Sequence, residues 1–319
     1  MGFRAGDVGR SWRALAAPTL ACALMLASVA ANAEDPASYQ RETLQWEGEQ
    51  RSYLLHVPPG TGTAPLPLVV ALHGAGGNAA DFARETQFAP AADAENMLLV
   101  VPDGTGETPD KLGWNAHICC GVALWQKLDD VGFVGALIDH VAAEEPVDRA
   151  RVYAAGMSNG AMLAYQIAAA HPSWLAAIAP VSGTIGGTDR DGNRFVIEKP
   201  QMPVPVMIIH GRKDSYVLFD GGSSRNLPFP KRSNMAVADA LAFWSDADGC
   251  GTAPAMMEPV PGKLRRTAFL DCRAGSDVIL WEIETGEHEW PTIAFPAPGG
   301  GTRSTAAEIL AFFAAHSRE

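Results

Sequence analysis

Basic residues are scarce for the length: 24 Lys and Arg stand against 36 Asp and Glu in 319 residues, a formal net charge of −12. Nucleic acid is therefore excluded as a general partner, because a phosphate backbone requires a basic footprint. Cysteine is scarce too, with five residues and no CxxC pair, which excludes a thioredoxin-type redox motif and a zinc ribbon. After residue 33 no apolar run approaches the ~18 residues of a membrane span. No Ser/Gly-rich linker and no internal repeat divides the chain. An HExxH metal site fails at His288-Glu289, since its second histidine would fall on Thr292.

What is present describes a chain able to bury a full core, with 47% hydrophobic and 19% charged residues. Arg4, Arg10 and Arg13 precede an apolar run over 15–29 that ends in Ala31-Asn32-Ala33, the pattern of a cleaved export signal over 1–33. A lipoprotein reading of Cys22 is the weaker alternative, because Thr19-Leu20-Ala21 is a poor lead-in and the apolar run continues past it. The expected product is a secreted or periplasmic protein with one catalytic domain over 34–319 and no membrane partner. Its compartment oxidises thiols, so Cys250 and Cys272, which flank a Gly/Pro-rich stretch, are expected to form a disulfide. Cys119 and Cys120 are left open between pairing with each other, pairing elsewhere and staying reduced.

Short apolar runs at 68–72, 97–101, 151–155, 177–181, 206–210 and 278–284 alternate with helical patterns at 89–95, 131–145, 160–170, 234–247 and 304–316. Such alternation predicts an α/β fold, a mostly parallel central sheet with helices on both faces. Two earlier strands, 41–47 and 51–57, read as an antiparallel hairpin. Asp129-Asp130 reads as a cap for the helix that follows. The long connections 103–128 and 183–205 are expected to shape a site.

Gly156-Met157-Ser158-Asn159-Gly160 lies between a predicted strand and a predicted helix. GxSxG in that context is a nucleophile elbow, whose glycines let the backbone turn tightly enough to present the serine hydroxyl above the sheet. A serine hydroxyl needs a base within hydrogen-bond reach, and the base needs an acceptor to fix its tautomer. In the chain order Ser, acid, His, the candidates are Ser158, Asp214 after the strand 206–210, and His288 in the loop after the strand 278–284. Asp220 is the alternative acid. His316 is set aside as a surface residue of the last helix, and His210 reads as structural. The expected oxyanion donors are the backbone N–H groups of Asn159 and of Ala75 in His73-Gly74-Ala75-Gly76-Gly77. That loop also fits a dinucleotide GxGxxG/A pattern, but the preceding His73, the expected export and the later elbow weigh against it. No cofactor is required.

LHGAGG at 72–77, GWN at 113–115, CCG at 119–121, DDVGF at 129–133, RVYAAGMSNGAML at 151–163, HGRKD at 210–214 and HEWP at 288–291 follow in order. That series resembles the secreted polyhydroxybutyrate depolymerase and feruloyl esterase group of α/β-hydrolases over about 40–315. The resemblance implies an α/β-hydrolase fold, the triad Ser158, Asp214 and His288, an oxyanion donor at Ala75, and aromatics near the site at Trp114 and Trp290. Glu287 and Glu289 flank the histidine where the family is usually Gly-rich. The acid loop 210–232 is unusually basic, with Arg212, Lys213, Arg225, Lys231 and Arg232, and Lys231 and Arg232 become candidates for binding an anionic substrate. The expected activity is hydrolysis of a carboxylic ester in a polyester or feruloyl-type substrate. Amide hydrolysis in poly(aspartic acid) is the alternative, and a non-catalytic polymer-binding protein is the alternative of another class.

Overall fold

β3 (Leu66–Leu72) is buried along its whole length, as an apolar strand covered on both faces must be. It sits within a ten-stranded sheet in the computed structural model, which describes residues 1–2, 36, 38–224, 226, 232–254, 256–260 and 263–318. The proposed signal at 1–33 and its cleavage site lie outside the described residues, apart from Met1 and Gly2. The elements described below all belong to one compact unit, Asn32–Glu319.

The other strands of this sheet are β1 (Gln40–Trp46), β2 (Glu49–His56), β4 (Leu98–Pro102), β5 (Val147–Met157), β6 (Ala177–Val181), β7 (Val206–Gly211), β8 (Met256–Val260), β9 (Leu264–Phe269) and β10 (Val278–Ile283). Their spatial order is β1-β2-β4-β3-β5-β6-β7-β10-β9-β8. The six strands from β4 to β10 run parallel. Antiparallel strands close both ends, the predicted hairpin β1-β2 at one and β9-β8 at the other.

Side chains alternate between two cores. Val69, Ala71, Tyr153 and Ala155 face a layer made by α1 (Ala79–Thr86), α2 (Phe88–Glu95) and, at the C-terminal end of the chain, Ile309, Leu310 and Phe313. Leu68, Val70, Leu72, Val152 and Ala154 face the opposite layer. After α3 (Gly121–Gln126), that layer is built by α4 (Asp130–Glu144), α5 (Asn159–Ala170) and α6 (Val237–Ala247). The last helix, α7 (Thr305–Ala314), carries Ile309, Leu310 and Phe313.

Several expectations need correction. The helix expected from 234 begins at Val237, because Ser233–Asn234 pairs with Gly186–Thr188 in a small separate sheet. Asp129 caps α4 by accepting from the Gly132 N–H at 2.8 Å. Asp130, however, is buried and holds Arg51 at 3.2 Å and the Asn115 N–H at 2.8 Å. His316 is not a surface residue: it is buried, with Nδ1 2.8 Å from the Phe312 carbonyl and Nε2 3.3 Å from Asp277. Cys250 and Cys272 are joined at 2.05 Å, as expected for an oxidised pair. Cys119 is joined to its neighbour Cys120.

Candidate active site

Ser158 stands between β5 and α5 with φ +53°, a conformation that costs a residue bearing a Cβ and persists only when its surroundings impose it. Its N–H donates to the Val181 carbonyl at 2.8 Å, and its own carbonyl accepts from the Met162 N–H at 3.0 Å. The flanking glycines are required by close approach. A Cβ on Gly156 would lie 2.6 Å from the Gly160 backbone, and one on Gly160 would lie 2.2 Å from the Leu72 carbonyl oxygen.

The turn after β7 carries Asp214, and the loop after β10 carries His288. Ser158 Oγ and His288 Nε2 are 2.9 Å apart, and His288 Nδ1 is 2.7 Å from Asp214 Oδ2. Asp214 Oδ1 accepts the N–H groups of Tyr216 at 2.9 Å and Val217 at 2.8 Å. Burial pushes the Asp214 carboxyl up, but hydrogen bonds from His210 and His288 outweigh it and hold the group well below the usual carboxylate range. Nδ1 of His288 is thereby fixed as a donor and Nε2 is left to accept the serine proton. Asp220, the alternative acid, is exposed.

The loop 73–78 is tied down from below. His73 Nδ1 donates to the Gly74 carbonyl at 2.8 Å while Nε2 accepts the Gly104 N–H at 3.0 Å, which sets one neutral tautomer. Burial lowers the His73 pKa in the same sense. The Gly76 N–H donates to the Leu112 carbonyl at 2.7 Å and the Gly77 N–H to that of Gly74 at 3.1 Å. Among the described residues, neither the Ala75 nor the Asn159 backbone N–H donates a hydrogen bond. The Asn159 amide also opens α5, where the helix dipole favours negative charge. Its side chain braces the site, accepting the Trp114 N–H at 2.7 Å and donating to the carbonyls of Trp114 at 3.1 Å and Cys119 at 3.2 Å.

Two expected substrate aromatics belong to the core instead. Trp114 is 0% exposed, its indole N–H donating to the His73 carbonyl at 2.9 Å and its ring stacked on Phe133. Trp290 is 4% exposed between Phe82 and Phe88. Both support the site from beneath, because wide rings that find apolar partners bury completely. The aromatic that sequence reasoning missed is Tyr216, 40% exposed with its ring 5.1 Å from that of His288. Its signal was its position two residues after the acid.

A cleft of about 310 Å³ opens over Ser158, His288 and Ala75, and Asp81, Glu85 and Glu289 lie on its lining. Burial, together with Asp81 and Glu289, pushes the Glu85 carboxyl up against a hydrogen bond from the Trp290 backbone. Among the described residues, none of the basic acid loop lines this cleft. Arg212 turns to Glu282 at 2.7 Å and over the Phe219 ring, while Lys231 and Arg225 lie outside the described residues. Arg232 lines a second, larger cavity.

A parallel sheet of this strand order, with a serine at the strand-to-helix turn after β5 and a histidine and an acid on later loops, defines an α/β-hydrolase. The family profile described as "Esterase PHB depolymerase" matches residues 51–194. The putative esterase NocK of Nocardia uniformis subsp. tsuyamanensis is 30% identical over 262 residues, covering 78% of this chain and 73% of NocK. Feruloyl esterase B of Piromyces equi is 28% identical over 239 residues, 75% of this chain but 42% of that protein. The acetyl xylan esterase from Aspergillus awamori shares the fold, with a TM-score of 0.58 at 13% identity over 86% of this chain and 99% of its own. This chain belongs to the PHB depolymerase family of esterases.

Proposed function

We propose that this chain is an exported serine esterase whose catalytic domain spans 34–319 and which works through an acyl-enzyme on Ser158. The observation that carries the reading is the hydrogen-bonded series Ser158, His288, Asp214, with links of 2.9 Å and 2.7 Å. Ser158 Oγ attacks the ester carbonyl carbon as its proton passes to His288 Nε2. The tetrahedral oxyanion faces the free amides of Ala75 and Asn159. As the intermediate collapses, the alcohol leaves with the proton from His288, and the acyl group stays on Ser158. Water then repeats the attack on the acyl carbon, again giving its proton to His288, which returns it to Ser158 Oγ. Asp214 remains ionised throughout and stabilises the imidazolium.

Asp81, Glu85 and Glu289 on the cleft disfavour a negative group beside the reacting bond, which supports a neutral ester there rather than the backbone of a polyanion. Polyesters, named in the description of the matching family profile, and feruloyl-type esters, named for the Piromyces equi relative, are the proposed class. Export is supported by the Arg-flanked apolar run and small-residue cleavage pattern of residues 1–33. Hydrolysis of p-nitrophenyl butyrate, lost in Ser158→Ala protein of unchanged melting temperature, is the expected result. Equal turnover by the two proteins would remove Ser158 from the reaction, and no turnover by either would favour a binding protein.

A further inference from the structure

A cavity of about 1210 Å³ is lined by Ile118, Cys119, Cys120, Leu124, Trp125 and Arg232, among others. It adjoins the proposed oxyanion donors. The Cys119 carbonyl accepts from the Asn159 side chain. A Cβ placed on Gly113 would lie 3.4 Å from Asn159 Oδ1, 3.6 Å from the Cys120 carbonyl oxygen and 3.9 Å from Ala75 Cα. The two linings therefore meet around Gly113 and Asn159, with Ala75 on the reacting cleft and Cys120 on this second space.

Its chemistry differs from that of the cleft. Trp125 is 65% exposed, an aromatic face left to water at the cavity. Arg232 reaches Cys120 Sγ, a weak acceptor, through Nη1 at 3.5 Å, and among the described residues its buried Nε has no hydrogen-bond partner. A guanidinium carries a planar fork of five donors that matches a carboxylate, and among the described residues most of that fork is unspent. Lys127 and Arg190 add positive charge to the lining against Asp189 and Asp191. Asp189 is already occupied by the N–H groups of Asp191 and Asn193 and by the Asn193 side chain. The acidic groups facing Ser158 and the arginine here give the two spaces opposite preferences.

We infer that this cavity is a subsite for a carboxylate-bearing part of the substrate, the carboxylate on the Arg232 fork and the carbon chain or ring along Trp125. The inference rests on the reading of Ser158 as the nucleophile and extends it: the substrates are esters neutral at the reacting bond and anionic at a distance from it.

The test uses p-nitrophenyl monoesters of the four- to eight-carbon dicarboxylic acids against neutral p-nitrophenyl esters of equal chain length, so that some member spans the distance to Arg232. Equilibrium binding to Ser158→Ala protein should show one chain length at which the anionic ester binds about tenfold or more tighter than its neutral partner. Adding Arg232→Gln should abolish that preference, and Arg232→Lys, which keeps the charge and loses the fork, should retain part of it. The Arg232 Nε–H resonance, which needs no substitution there, should shift on saturation with the preferred monoester. No preference at any chain length, a preference that survives Arg232→Gln, or an unmoved resonance overturns the subsite. Turnover of both ester types by Ser158→Ala would instead overturn the nucleophile while leaving these binding results to stand on their own.

Discussion

His210 Nε2 lies 3.3 Å from Asp214 Oδ2, the same oxygen that holds His288 at 2.7 Å. It also lies 2.8 Å from the Val217 carbonyl, so with two acceptors before it this nitrogen carries the proton. The second histidine thus helps keep the acid ionised.

Replacing His210 by Asn should weaken that support. Asp214 has a depressed folded-state pKa, so its contribution to stability is full above the ordinary carboxylate value of about 3.9 and is lost as pH falls through the folded value. His210→Asn should lower stability by about 1–3 kcal/mol at pH 7, and the deficit should narrow below about pH 4. Denaturant titrations at the two pH values read it directly. A deficit that is the same at both would mean that His210 acts only by packing.

His288→Ala should reduce ester turnover almost as far as Ser158→Ala, by up to about a millionfold, since members of such a series act as a unit. A double variant should be no worse than either single one. Additive losses in steady-state kinetics would contradict a shared proton path.

Ala75 is exposed on its loop and tolerates substitution without burying anything. Ala75→Pro deletes one proposed oxyanion donor and should lower kcat by about a hundred- to a thousandfold with a smaller change in KM. Ala75→Gly, which keeps the N–H, should stay close to the parent.

Asp248 is fully buried, held by the Val204 N–H at 3.2 Å and by Ser276. Burial pushes its carboxyl up to about 6, against hydrogen bonds from Ser276 and Val204. A raised folded-state value gives stability that is full below about pH 3.9 and is lost as pH rises through about 6. Asp248→Asn should therefore stabilise the protein at pH 7, by about 1–3 kcal/mol, and flatten the pH dependence between 4 and 6. A scan of melting temperature against pH for both proteins is sufficient.

Replacing Cys250 and Cys272 by Ser should cost about 3 kcal/mol on the chain-entropy account, given their separation of 22 residues. The bond ties α6 to the segment before β10 and touches neither Ser158 nor His288. Activity at 25 °C should persist while the melting temperature falls.

The central strands and the elbow were legible because each obeys a local constraint: continuous apolar runs for β3 and β7, and two glycines that no larger residue can replace. His288 and Asp214 were legible because chemistry demanded them in chain order. α1 escaped notice because it is only eight residues long and its buried face is mostly alanine and threonine, Ala79, Ala80, Ala83 and Thr86 around one Phe82, with little apolar bulk to mark it. β9 escaped because Arg265 and Arg266 interrupt its apolar pattern. Trp114 and Trp290 could not be placed from sequence, since a tryptophan's exposure depends on rings such as Phe133 and Phe88 that only folding brings near. The same limit applied to Arg212 and Arg232, which share one basic loop and have different fates: one met Glu282, and the other met a cavity.

Asn159 follows the serine and, through its amide side chain, fastens the buried Trp114 and, on the wall of the larger cavity, Cys119. Remodelling that wall for a new substrate would drag on the serine's own posture. Variation at Leu124 and Trp125, which reach the same space from α3, leaves this tether alone, and directed evolution of ester scope should find its tolerated changes there.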